Sequence, residues 1–232
     1  MKKVLLRVPA AILYLIALGC MAIYFGLSFN PSVFMDPTGR LILLGLSCLA
    51  IYFGSLLIVK TIPQDKSKKI MKTTFFLFFM IYILLIATLT LFDRRSRHIM
   101  AFKWDSVLLK SYIKYSLNII PFATIYKYIS GLFSHSISAG IVIPNILGNL
   151  VAFVPFAFFL PLFSKKMKPF KRFLITMLCI VVSIELLQFL MRTGSCDIDD
   201  VILNVGGACA FYRIFHIEPI KRLIEKVTML KY

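Results

Sequence analysis

Six stretches of this 232-residue chain are apolar for about twenty residues each: 8–28, 40–59, 72–92, 145–163, 173–191 and 199–217. A bilayer core of roughly 30 Å is crossed by about 20 helical residues. Lipid offers no hydrogen bonds, so a crossing segment must satisfy its backbone internally, and a helix does this within one segment. The expected fold is therefore all-α: a polytopic helical membrane protein of about six transmembrane helices, with an interfacial or re-entrant outer segment. Hydrophobic residues make up 59% of the chain and charged ones 16%, too little polar surface for a water-soluble domain of this length. The start, MKKVLLRVPA, resembles a signal peptide. Its apolar run continues to about residue 29 with no small-residue cleavage site, so a retained first span is expected.

The net charge of +17 does not point to nucleic acid, because the basic residues cluster between apolar runs. The N-terminus holds three Lys and Arg, and the 60–72 loop, the 165–172 loop and the tail after 212 hold five each, eighteen against nine in the alternate loops. That asymmetry places both termini in the cytoplasm of a multi-pass cell-membrane protein. The organisation expected is two N-terminal spans (1–71), a membrane domain (72–217) and a basic tail (218–232). Four of the five cysteines, Cys20, Cys48, Cys179 and Cys209, lie in apolar runs, and only Cys196 falls in a polar loop. No disulfide framework is implied.

The 93–144 loop holds two less ordinary pieces. From Phe102 to Tyr115, helical spacing puts Trp104, Leu108 and Tyr115 on one face and Lys103, Lys110 and Lys114 largely on the other. Such a helix suits the membrane interface, or equally a linker packed on the bundle. The following LNIIPFATIYKYISGLFSHSISAGIVIPN is too apolar for a free loop and too broken for a span, which suggests a re-entrant or surface-lying element buried against protein. His135 within it is expected to be a polar loop residue.

Four of the ten acidic residues fall between Glu185 and Asp200. Glu185 lies about six residues, roughly 9 Å, inside the outer end of span five. Gln188 is one turn further out, and Arg192 could pair with the carboxylate. Asp197, Asp200, Asn204 and Gly207 form one stripe of span six, and Asn145 and Asn149 form a stripe of span four. Pro155 should kink span four beside Asn149. Gly206, Gly207 and Ala210 leave span six open to close approach. A charge at mid-bilayer costs on the order of 2.5–3.5 kcal/mol, so Glu185 should face a hydrated pocket or a partner.

The candidate catalytic residues are Glu185, Asp197 and Asp200. The candidate substrate-binding residues are Asn118, Asn149, Gln188, Arg192, Asp199 and Asn204. The bland alternatives are helix capping, foremost for Asp199, and amide pairs that stitch helices together. The aspartates could gather Mg²⁺ or Ca²⁺, but no His accompanies them and no metal site is assigned; the sequence leaves any cofactor open. No Ser-His, Cys-His or HExxH arrangement marks a hydrolase.

The runs LNIIPFATI (117–125), NILGNLVAFVPFAFFLPLF (145–163) and SIELLQ…DIDDVILNVGG (183–207) resemble the VanZ-like family of integral membrane proteins, over roughly 75–215. The matching residues are Asn118, Pro121, Phe122, Asn149, Pro155, Glu185, Gln188, Asp197, Asp199, Asp200 and Asn204. Ala123 stands where relatives commonly have Arg, and Ala157 where Gly is usual. The family's founding member is associated with teicoplanin resistance, so the resemblance implies a membrane location and a glycopeptide phenotype, without supplying a reaction. Two functions compete, with a purely structural or assembly role as a third reading. One is a membrane factor that binds or modifies a lipid-linked cell-envelope molecule, such as a cell-wall precursor, at an outer-leaflet acidic–amide pocket. The other is a cation- or proton-coupled transporter using Glu185 and the DIDD acids. Membrane lipids are the expected partners, and nucleic acid is not.

Overall fold

The structure is a computed structural model and describes residues 2–29, 36–91, 106–191 and 193–232. Among the described residues, five helical segments are long and apolar enough to cross a membrane: Leu5–Ser28, Thr38–Val59, Gln64–Thr90, Ala139–Phe163 and Phe170–Met191. The polytopic all-α expectation holds, with five such segments where the sequence suggests about six. The sixth forms a helix, but it carries Asp199, Asp200 and Arg213 and buries much of its length against protein rather than lipid.

Two compact units are present, Met1–Leu85 with Arg222–Tyr232, and Ile86–Lys221. The first contains α1 (Lys2–Phe29), α2 (Pro37–Val59) and most of α3 (Gln64–Thr90). Asp36 caps α2 by accepting the Gly39 N–H at 3.1 Å. Helices α1 and α2 approach through small residues: Ala10, Ala17 and Ser47 are buried, and a Cβ on Gly54 would lie 3.3 Å from the Tyr14 ring. In lipid, where apolar burial gives no net drive between helices, such close backbone contact supplies the packing. The C-terminal residues belong to this unit. Tyr52 donates its hydroxyl to the Val227 carbonyl at 3.2 Å, and Tyr232 is buried.

The second unit holds α4 (Ser106–Ser116), β1 (Leu117–Asn118), α5 (Ala123–Phe133), α6 (Ala139–Ala152), α7 (Val154–Phe163), α8 (Phe170–Met191), β2 (Cys196–Asp197) and α9 (Ile198–Phe215). A final amphipathic helix, α10 (Glu218–Thr228), begins here. Helix α9 is the centre, packing against α6, α7 and α8. The kink expected at Pro155 is a full break: Phe153 (φ −100°, ψ 6°) separates α6 from α7, because the proline nitrogen has no proton for the Val151 carbonyl.

Gly207 explains the tightness of the α6–α9 crossing, since a Cβ there would sit 1.7 Å from the Leu150 carbonyl oxygen. Gly206 and Ala210 do not share this role. Both are exposed, and nothing lies within 4 Å of a Cβ on Gly206. At the far end of α9, Tyr212 stacks between Phe173 (4.4 Å) and His216 (4.0 Å) and donates its hydroxyl to the Lys168 carbonyl.

Helix α4 is held to the bundle. The Tyr112 hydroxyl lies 3.0 Å from both the Phe189 and Gly194 carbonyls, and its ring stacks on Phe189. Lys110 and Lys114 are exposed, whereas Trp104 lies outside the described residues. The 117–145 stretch forms the short α5 and the first turns of α6, as a surface-lying element would. Its burial against protein is only partial: Gly131 and Val142 are buried, but Ile119, Ile120, Phe122, Tyr126 and Phe133 are exposed. An outward apolar face on a helix too short to span is suited to lipid contact. His135 is an exposed loop residue with φ 55°.

Candidate functional site

The site is organised by a two-residue parallel ladder that pairs Leu117 with Cys196 and Asn118 with Asp197. Each strand feeds a helix, β1 into α5 after a short turn and β2 directly into α9. Parallel pairing therefore sets two helix N-termini side by side, and two aspartates serve them. Asp197 caps its own helix through the Asp199 N–H at 2.9 Å. Its carboxylate also receives the Asn118 amide at 2.9 Å and the Thr124 hydroxyl at 2.5 Å.

Asp199, with 0% exposure, reaches across to the neighbouring helix. One oxygen accepts the Phe122 N–H at 2.5 Å, and the other accepts those of Thr124 at 2.7 Å and Ile125 at 3.0 Å. These are orphan donors of the first turn of α5, where the helix dipole also favours an anion. Phe122 adopts φ 66°, a left-handed conformation that a bulky residue rarely takes, and this turn helps its N–H converge with those of Thr124 and Ile125 on one carboxylate, while the Ala123 N–H bonds the Ile120 carbonyl.

Glu185, on α8, is 5% exposed. Its Oε2 accepts the Asp197 N–H at a long 3.5 Å. The carboxyl lines a pocket of about 160 Å³ together with Asn118, Cys196 and Asp197, closed by apolar side chains that include Val182 and Val201. Burial, then Glu185 and then Asp197, push the Cys196 thiol above its usual pKa. Tyr128, on α5, is likewise raised by burial and by the charges of Asp200 and Asp197, which places its phenol in the field of the acids.

The remaining candidates divide. On the α6 side of α9, Asn149 donates its amide to Asp200, and Asn204 is 3% exposed with an Oδ1 that has no hydrogen-bond partner among the described residues. Gln188 turns elsewhere, donating to the Thr90 carbonyl at 3.2 Å. Asn145 is exposed and returns its amide to Ile141, so it leaves the stripe expected with Asn149. Arg192, the expected partner of Glu185, lies outside the described residues.

The structure thus gathers Asn118, Glu185 and Asp197 at the pocket, with Asp199 behind them holding α5. Asn149, Asp200 and Asn204 line the adjoining helix contact. Sequence reading misses Thr124, Tyr128 and the Cys196 thiol. Only Thr124 carried a signal, a hydroxyl in the first turn of a helix. No group of three or more His, Cys, Asp or Glu among the described residues is arranged to hold a metal ion.

Residues 76–218 match the family model described as VanZ/LLP1. The chain belongs to the VanZ/LLP1 family. The match contains every element of the pocket, from β1 to α9, and leaves α1, α2 and the start of α3 outside it. No curated protein and no solved structure matches the chain. In this VanZ-like protein Ala123 is the exposed first residue of α5, beside the Asp199 clamp, and Ala157 is fully buried in α7.

Proposed function

We propose that this VanZ-like membrane protein binds a lipid-linked cell-envelope molecule through the Glu185–Asp197–Asn118 pocket. The observation that carries the reading is Glu185 itself, a nearly buried carboxyl whose hydrogen-bond contact among the described residues is one long N–H, at the wall of a mainly apolar cavity. Such a group is an acceptor for a ligand's donors, because a buried carboxyl without hydrogen bonds is costly. Sugar hydroxyls or amino groups of an envelope lipid supply such donors, and the apolar walls take the start of its chain. Basic residues of the outer loops meet its phosphate. Glu185 is positioned to exchange a proton with the ligand, Asp197 to orient it through Asn118 and Thr124, and Asp200 with Asn149 to brace the pocket from α6. On this reading α9 is the sixth crossing, the site faces the outer leaflet and both termini are cytoplasmic, an orientation supported by the excess of Lys and Arg in the alternate loops. Reduced susceptibility to teicoplanin is the phenotype this binding would produce.

The test compares Glu185→Gln and Asp200→Asn with the wild type at matched membrane abundance in a bacterial host. Both variants are expected to lose the shift in teicoplanin susceptibility that the wild type confers. Unchanged susceptibility in both would overturn the reading, and proton flux in liposomes that depends on Glu185 would favour a transporter instead.

A further inference from the structure

The N-terminal unit carries a second kind of site. Between α1, α2 and α3 lies a cavity of about 450 Å³, whose wall includes Tyr14, Ser55, Lys69, Thr73 and Thr74. Its volume is within the range of small-molecule sites. A second cavity of about 230 Å³ shares Tyr14, Ile51 and Leu77 with the first and continues along Ala17, Leu18 and Met21. One end of this groove is therefore polar and cationic, and the other is wholly apolar.

The polar end is built around a chain of hydroxyls. Tyr14 and Ser55 are 3.0 Å apart, and Ser55 and Thr74 are 2.7 Å apart. Ser55 and Thr74 are almost fully buried, so both O–H groups are satisfied when Thr74 donates to Ser55 and Ser55 to Tyr14. That order leaves the proton of the half-buried Tyr14 phenol for a ligand. Gly54 holds the phenol in place, with 3.3 Å between a notional Cβ and the ring. Lys69 stands at the mouth, in a 60–72 stretch with five lysines and one acid, and among the described residues it forms no ion pair.

We propose that this groove is a specific site for an anionic phospholipid, with the phosphate on Lys69 and the Tyr14 hydroxyl and one acyl chain along Ala17, Leu18 and Met21. A phosphate needs a cation and a donor, and an acyl chain needs an apolar channel; the two cavities supply these side by side, adjoining through Tyr14, Ile51 and Leu77. Lys69 lies one turn into α3, at the depth of head groups if α3 begins at the interface, and Leu18 and Leu77 lie deeper.

The experiment is native mass spectrometry of the full-length protein in detergent, titrated with phosphatidylglycerol, phosphatidylcholine or inorganic phosphate. Phosphatidylglycerol is expected to add as one saturable adduct, at least fivefold more tightly than phosphatidylcholine. Lys69→Gln should abolish that preference, while inorganic phosphate should not displace the lipid. Leu18→Trp fills the chain groove from a position that is 65% exposed and so does not threaten folding, and it should weaken binding at least threefold. Equal affinity for the two lipids, or unchanged binding in both variants, would overturn the proposal. Full displacement by phosphate would also overturn it, by showing a plain anion site.

Discussion

The Asp199 carboxylate, one residue into α9, lies 2.5 Å from the backbone nitrogen of Phe122, just before α5 begins. An acid of one helix is thus the cap of another, 77 residues away in sequence. The same carboxylate tolerates the left-handed φ of Phe122, a conformation that costs of order 1–3 kcal/mol and persists where surrounding contacts over-determine it.

Asp199→Asn keeps the shape but turns two donors toward backbone N–H groups that also donate. Hydrogen bonds to a charged acceptor are worth roughly 1.5–3 kcal/mol each, so a loss of about 3 kcal/mol is a modest expectation. For a chain of this length the thermal midpoint in detergent should fall by about 6–12 °C. A midpoint within a degree or two of wild type would show that the clamp contributes little.

The two adjacent glycines of α9 should behave as opposites. Gly207→Ala places a methyl 1.7 Å from the Leu150 carbonyl, so α6 and α9 must separate, and little folded protein should be recovered. Gly206→Ala meets nothing within 4 Å and removes a poor helix former, a gain of up to about 1 kcal/mol. Size-exclusion profiles and melting curves of the pair check both.

Thiols react as thiolates, so Cys196, held above the usual thiol range by burial, Glu185 and Asp197, should alkylate slowly. Glu185→Gln removes one of the two anions. The thiol pKa then moves down, more thiolate is present at any given pH, and the rate–pH curve shifts to lower pH. Alkylation rates in variants retaining Cys196 as their only cysteine measure this, and a shift upward in pH would contradict the arrangement of the pocket.

Thr124→Val deletes a hydroxyl that donates to Asp197 at 2.5 Å and accepts from Asn118 at 3.0 Å. The isosteric change should cost about 1–2 kcal/mol and loosen the pocket wall while leaving the membrane segments intact. A lowered melting midpoint with unchanged helical circular dichroism is the expected result.

Much of the site was legible because its chemistry is written in residue types that lipid does not tolerate. Glu185, Asp197, Asp200 and Asn204 stand out against apolar spans, and the stripe Asp197–Asp200–Asn204–Gly207 does line one face of α9. The sequence could not separate the functions of its members. Helical spacing gives the face of a residue but not its partner, so Asn145 and Asn149 read as equals. Only Asn149 meets Asp200, whereas Asn145 binds its own helix.

The 117–145 stretch is legible in part for a related reason. Its apolar, broken pattern implies a re-entrant or surface-lying element, but a membrane protein can present such residues outward, so hydrophobicity alone does not choose between core and lipid. What positions this stretch is the backbone: a parallel pair of two residues and the nest around Asp199.

The amino-acid order alone determined that this chain is a polytopic helical membrane protein with acids gathered near one end of the last apolar segments, because a roughly 30 Å apolar layer imposes length, apolarity and internal hydrogen bonding on each segment separately. Tertiary structure alone decided which acid caps a neighbour, which lines a cavity and which packs on an amide. Those outcomes depend on contacts between residues 50 to 80 positions apart, which no local pattern encodes.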